Sequence, residues 1–322
     1  MKSVGLFMSL LLLPILYSCN KEVDLLDDYE PHTIVYGLID HKDDISYIRI
    51  EKSYLTAANI YDAAQIPDSN QFSCKLEVVL KSEPVNILFD TMTLSHKDTG
   101  IFYGPNMLVY YAHTGGLLNT EEEYQLEITH PKTGKITKAS LKLHDSSRLK
   151  AKHPLLYVNF EEEDRIVYES IENIKAYQLL LRFHYMKQSR EDTTQCSYHY
   201  IDWPFPFAYT QNNYAGEEIT YTLDGWVFYE LIHKNITPDT NAVFYYGYVD
   251  FIMSTADLNF YYYIESVAPS ASLVMDKQAF TNIENGSGVL ASKSSGIATH
   301  RLSNRTKTHL KNLKEYNFVG GY

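Results

Sequence analysis

From Thr33 onwards, hydrophobic and polar positions alternate in short runs. Ile48 and Ile50 sit between Tyr47, Arg49 and Glu51. Leu76, Val78 and Leu80 alternate with their neighbours in the same way, and Tyr124, Leu126 and Ile128 oppose Gln125, Glu127 and Thr129. A two-residue period puts one face of a strand against a core and the other in water, the pattern of an antiparallel sheet. Pro131-Lys132-Thr133-Gly134 separates two such runs and predicts a hairpin over 124–143. Short strands punctuated by turns predict an immunoglobulin-like β-sandwich over residues 33–147. The chain has no Cys…Trp…Cys spacing, so this expectation concerns architecture only.

A polar, basic stretch over 146–153, followed by Pro154, predicts a domain boundary, and a second sheet-rich domain is expected over 154–322. Tyr177, Leu179, Leu181, Phe183 and Tyr185 read as one face of a long strand. Val243, Tyr245, Val249, Phe251 and Met253 read as one face of another. One or two short helices are expected among these strands. Asp224 can cap a helix over 225–234, with His233 and Lys234 at the C-terminal end, where the helix dipole favours cations, and Pro238 beyond. A second helix is predicted over 255–267, stopped by Pro269, although Tyr261-Tyr262-Tyr263 has strong β propensity.

The first residues follow a different pattern. Lys2 precedes an apolar run from Val4 to Leu16, shorter than the roughly 20 residues a membrane-spanning helix needs. It fits the core of a secretory signal over residues 1–18. The run ends in Leu16-Tyr17-Ser18-Cys19, which resembles the bacterial lipobox; Tyr17 departs from its usual small residue. Cys19 is therefore the predicted lipidation site. Its thiol accepts a diacylglyceryl group, and two or three acyl chains make the anchor effectively permanent where one would hold marginally. Residues 19–32 form an acidic tether with Glu22, Asp24, Asp27, Asp28 and Glu30. They resemble the acidic export signal behind the lipidated cysteine of surface-exposed Bacteroidota lipoproteins.

The formal net charge of −12 argues against nucleic acid as a partner. Cys74 and Cys196 can pair in an oxidising compartment or remain as buried thiols. No nucleophile elbow, zinc-binding H-E-x-x-H, C-x-x-C, P-loop or dinucleotide fingerprint is present. The histidines show no metal-ligand spacing, and His184 with His199 reads as two polar-face residues of strands. The run from Glu161 to Asp164 lacks the interleaving and glycine of a calcium loop and reads as a solvated turn. Neither a cofactor nor a metal is predicted.

The 28 tyrosines and 14 phenylalanines are unusual beside 2 tryptophans. They include the cluster Trp203-Pro204-Phe205-Pro206-Phe207-Ala208-Tyr209. Its prolines keep it out of a central strand and predict a loop. Trp203, Phe205, Phe207 and Tyr209 either stack on a ligand or anchor an interface, or fold back over the core.

Phe280-Thr281-Asn282-Ile283-Glu284-Asn285-Gly286-Ser287-Gly288-Val289-Leu290 resembles the C-terminal N-I-E-N-G-x-G-[IV]-F signature of a Bacteroidota outer-membrane lipoprotein family of unknown function. Leu290 replaces the usual phenylalanine and Ser287 an apolar residue. Ser254-Thr255-Ala256-Asp257 with Tyr261 to Tyr263, the opening Cys19-Asn20-Lys21-Glu22-Val23-Asp24 and the first strand also resemble that family, so the likeness brackets nearly the whole mature chain. Asn285-Gly286 is a favoured turn pair and Gly288 permits close backbone approach, so the signature reads as architecture. The resemblance implies an outer-membrane lipoprotein, often encoded beside TonB-dependent receptors, and supplies no catalytic residue. The leading expectation is thus a non-enzymatic accessory lipoprotein, held by membrane lipid through Cys19, that binds a TonB-dependent transporter or its ligand. The alternatives are direct glycan or peptide capture at the cell surface, a hydrolase whose site goes unrecognised, and a structural role in the envelope.

Overall fold

The computed structural model describes residues 29–57, 59–95, 104–147, 149, 151–152, 156–268 and 279–322. Cys19, the signal segment and most of the tether lie outside the described residues. Among the described residues no helix is long and apolar enough to cross a membrane. The chain is mainly β, as the alternation predicts.

The first half contributes β1 (Thr33–Ile39), β2 (Ile45–Lys52), β3 (Glu77–Lys81), β4 (Asn86–Leu94), β5 (Met107–His113), β6 (Glu123–Thr129) and β7 (Ile136–Lys142), with two single-turn helices, α1 (Ile60–Ala64) and α2 (Pro67–Asn70). They make a two-layered sandwich. β1, β2 and β5 form one layer and β3, β6 and β7 the other. β4 serves both, pairing with β3 through Asn86 to Phe89 and with β5 from Asp90 onwards. The predicted hairpin is β6–β7, closed by Gly134 in the left-handed region (φ 69°). Val35, Ile48, Val78, Leu80 and Leu126 fill the core between the layers.

The second half contributes β8 (Tyr157–Val158), β9 (Asp164–Glu169), β10 (Ile174–Ser189), β11 (Cys196–Pro204), β12 (Ala208–Tyr209), β13 (Glu218–Leu223), β14 (Ala242–Asp257), β15 (Gly286–Leu302) and β16 (Phe318–Gly321), with α3 (Gly225–Asn235), α4 (Leu258–Val267) and α5 (Asn304–Asn312). β11, β10, β14 and the latter part of β15 are antiparallel neighbours. The small β9–β13 sheet, α3 and α5 supply the rest of this core, in which Tyr177, Leu179, Leu181 and Phe183 are buried as the alternation predicts.

β15 joins the halves. Gly286 to Ser292 run parallel to β1, and Lys293 to Arg301 run antiparallel to β14, so fourteen strands form one mixed sheet. Buried apolar residues nevertheless gather in two clusters, and the N-terminal cluster takes in Ile283 and Leu290 from the far end of the chain.

Three elements depart from the sequence reading. The alternation along β14 breaks where His184 faces Gly247 and Tyr248 together, a bulge between the Phe183–Val249 and Tyr185–Tyr246 pairs. Ala242, Phe244 and Tyr246 are therefore buried before it and Val249, Phe251 and Met253 after it, while Val243 and Tyr245 point the other way. The helix expected from Thr255 begins at Leu258, because 255–257 still pair as strand and Asp257 is its N-cap. Finally, α5 is a third helix in this half, capped by Ser303. It buries only Thr306 and Leu310, too few positions to leave a helical period in the sequence.

Candidate binding surface

The cluster from Trp203 to Tyr209 is not one loop. Trp203 and Pro204 end β11, an edge strand that tolerates proline, and Ala208–Tyr209 add a two-residue strand to β10. The aromatic residues divide accordingly. Trp203 packs against the inner core and stacks on Phe205 (4.7 Å between centroids), which is buried and meets Tyr221 edge-on. Phe207 and Tyr209 lie outside. Phe207 is 44% exposed.

Phe207 and Tyr209 stand beside α4. Phe207 lies 6.1 Å from Phe260, Tyr209 lies 5.3 Å from Tyr261, and the chain of rings continues through Tyr262 to Phe280. Most residues of helix α4 are apolar or aromatic, yet none is fully buried; Leu258, Phe260, Tyr261, Tyr263 and Ile264 are half-buried. Tyr262 is 44% exposed and Val267 is also exposed. Below the rings, the buried Lys175 donates from Nζ to the carbonyls of Gln211 (2.8 Å) and Asn212 (3.4 Å) and lies 5.5 Å from the Tyr261 centroid. Glu217 accepts the Gln211 and Asn212 amides, so the supporting loop is held from both sides. Burial, with Glu265 and Tyr261 nearby, raises the Tyr209 phenol above its ordinary pKa and keeps it neutral. The result is an aromatic shelf on a rigid support.

The sequence does not single out Phe260, Tyr261, Tyr262 and Phe280 as site residues. The signal was present in Phe260 to Tyr263. Consecutive residues of a helix point about 100° apart, so four aromatics in a row cannot all face a core.

Asp257 fixes the shelf to the sheet. Its carboxylate accepts the Phe260 amide (3.1 Å) at the helix start and the Ser292 amide of β15 (3.0 Å). Burial raises its pKa against these hydrogen bonds. Ser254 meets Ser295 (3.0 Å) and Thr255 meets His144 (2.8 Å). The Ser254-Thr255-Ala256-Asp257 stretch is thus an anchoring segment.

Two side-chain pairs resemble nucleophilic sites. The Ser292 hydroxyl lies 2.7 Å from His144 Nδ1, and Thr255 Oγ1 lies 2.8 Å from Nε2. Thr255 donates to the Ser294 carbonyl, so it accepts from Nε2–H, leaving Nδ1 to accept from Ser292. Ser292 and Thr255 are both buried, which seals the network from any substrate. Burial is also the main cause that lowers the His144 pKa to about 4. In the second pair, Cys74 Sγ lies 3.7 Å from His130 Nε2. Nδ1 of that ring accepts the Thr133 amide (3.2 Å), so the neutral ring carries its proton on Nε2, facing the sulfur. A base acting on the thiol needs a lone pair there and an oxygen behind Nδ1. The pair has neither.

Cys74 and Cys196 are free thiols, the latter exposed. His184 and His199 lie on neighbouring strands but have separate partners. His184 bonds Asp250 (2.8 Å), whereas His199 stacks on Tyr185 and meets Ser197. Glu161 accepts from Tyr229 and His309, and Glu162 pairs with Arg305. Among the described residues no group of three histidine, cysteine or carboxylate side chains is placed to hold a metal.

A second aromatic surface covers the outer face of β11, β10 and β14, where Tyr198, Tyr200 and Tyr248 are exposed. Its charges neutralise one another. Arg182 makes a two-pronged pair with Asp202 (2.7 and 2.9 Å) and lies 4.1 Å from the Tyr200 centroid.

Compared with known protein families, curated proteins and solved structures, the chain finds no match.

Proposed function

We propose that this chain is a non-enzymatic accessory lipoprotein, anchored in the bacterial outer membrane through Cys19, that docks a TonB-dependent transporter against its aromatic shelf. One observation carries this reading: helix α4 is rich in apolar and aromatic residues, none of them is fully buried, and Tyr262 and Val267 are exposed, as is Phe207. Exposed apolar surface on a folded protein marks interaction sites, and aromatic residues predominate among the residues that carry binding energy. Two of the six rings of the shelf, Phe207 and Tyr209, come from the cluster that the sequence singles out. The lipobox-like segment and the resemblance of the Asn282–Leu290 region to outer-membrane lipoproteins supply the location and the class of partner.

The test is recovery of the tagged protein from solubilised outer membrane. The wild type is expected to bring down a β-barrel transporter. A Phe207→Ser, Tyr262→Ser double variant is expected to reach the membrane in equal amount and lose that partner. Recovery without any β-barrel protein, or unchanged recovery by the double variant, overturns the proposal. Cys19→Ser is expected to release the protein into the soluble fraction.

A second reading is favoured by the exposed rings of Phe207 and Tyr262, which suit stacking on sugar faces. In that case the same double variant loses binding to an envelope glycan while the transporter is still recovered.

A further inference from the structure

Two clefts lie where the chain leaves the tether, and they share a wall made by Tyr29, Pro31 and Lys52. The first, of about 400 Å³, contains Asp62 and Asp68. The second, of about 330 Å³, is different in character. Its floor is apolar: Leu76 and Ile128 are buried in the sandwich core and Phe72 packs against it, with the Phe72 ring held edge-on to His130 at 5.7 Å. Its rim is cationic and hydroxylic. Lys52 and Lys135 face a single carboxylate, Glu30, and Lys135 already holds that group.

The Lys52 ammonium has no ion pair or hydrogen bond among the described residues. The Thr133 hydroxyl accepts the Lys135 amide (3.3 Å), which leaves its proton free to donate. Ser73 adds a hydroxyl at the exposed lip. His130 is already engaged, its Nδ1 accepting the Thr133 amide. In a chain of net charge −12, this is a local excess of positive charge over an apolar floor. The volume is at the small end of ligand pockets, whose apolar linings are oriented by a few polar groups.

We infer that this cleft is a binding site for a small amphiphile with one anionic head, carboxylate or phosphate, its head on Lys52 and its apolar body against Phe72, Leu76 and Ile128. Asp62 and Asp68 repel the head from the neighbouring cleft, so the shared lysine directs it to one side only. The site shares no residue with the aromatic shelf and stands whether or not the shelf docks a transporter.

Calorimetric titration of the purified full-length protein with sodium octanoate, octyl phosphate and octan-1-ol tests it. At least one of the two anions is expected to bind at a single saturable site, at least tenfold more tightly than the alcohol. The tighter of the two identifies the head group. Lys52→Met is expected to weaken the anion at least tenfold and leave the alcohol unchanged. Ser73→Trp, at the lip, is expected to block all three, and a circular dichroism melt matching wild type shows that the fold is kept. Failure of both anions to bind, equal binding of the alcohol, or anion binding unaffected by either substitution overturns the inference.

Discussion

The Asn282 side chain pairs with the backbone of Leu290 as a neighbouring strand would: Oδ1 accepts the Leu290 amide at 3.0 Å, and Nδ2 donates to the Leu290 carbonyl at 2.7 Å. The reason lies in the topology. β14 flanks β15 only as far as the Ala256–Lys293 pair and then turns into α4. The stretch of β15 before Lys293 still needs partners on that side, since a buried peptide group without one costs free energy. Asn282 serves Leu290, and Asp257 serves the Ser292 amide two residues on. Two motifs far apart in sequence thus complete one sheet edge.

Asn282→Ala is expected to destabilise the protein by about 2 to 4 kcal/mol, because it strands a donor and an acceptor of a fully buried residue. Urea unfolding measures this. A loss below about 1 kcal/mol would mean that water replaces the side chain.

Gly288→Ala is expected to be worse. Gly288 has φ +100°, and a Cβ there would lie 2.1 Å from the Val35 carbonyl oxygen of the parallel neighbour β1. Neither backbone can yield without breaking the pairing, so a loss above about 3 kcal/mol is expected. A thermal melt within a few degrees of wild type would contradict it.

The aromatic cluster should divide by energy as it divides in space. Phe205→Ala removes a buried ring from the core and is expected to cost about 3 to 5 kcal/mol. Phe207→Ala removes a half-exposed one and is expected to cost about 1 kcal/mol or less. Equal losses in chemical denaturation would place Phe207 in the core and remove the shelf.

His144 gives the stability a pH dependence. Its folded pKa, about 4, is below the ordinary value of 6.5, mainly through burial, with His41 and Lys42 adding to the shift and Asp145 opposing it. The folded protein therefore binds the proton less well than the unfolded chain. The stabilisation is fully present above pH 6.5 and is lost as pH falls towards 4, on the order of 3 kcal/mol in all. Asp257 works in the opposite sense, because burial raises its carboxyl. The measurement is therefore the difference between wild type and His144→Gln in urea unfolding from pH 7 to 4. That difference is expected to shrink as the pH falls, and a constant difference would show that His144 does not titrate in this window.

Much of the fold was legible because its causes are local. Asp224 caps α3 by accepting the Trp226 amide (3.0 Å) two residues away, and the β6–β7 hairpin is set by a turn between its own strands. The alternation from Tyr177 to Tyr185 survives because the extra residue in β10, Lys175, falls before it and one face is buried throughout.

What remained hidden depends on partners distant in the chain. The parity change in β14 arises where His184 faces two residues at once, which only the pairing with β10 reveals. The shelf exists because β10, β12 and α4 bring Phe207 to Phe260 across more than fifty residues of chain. The sequence by itself determined which faces must be buried and where turns and caps fall, since side-chain period and backbone chemistry act over a few residues. Only the tertiary structure decided that β15 serves both halves, that Asn282 and Asp257 complete its edge, and that Trp203 and Phe205 go inward while Phe207 and Tyr209 stay out. Hydrogen-bond satisfaction and burial are settled by whichever segment arrives alongside.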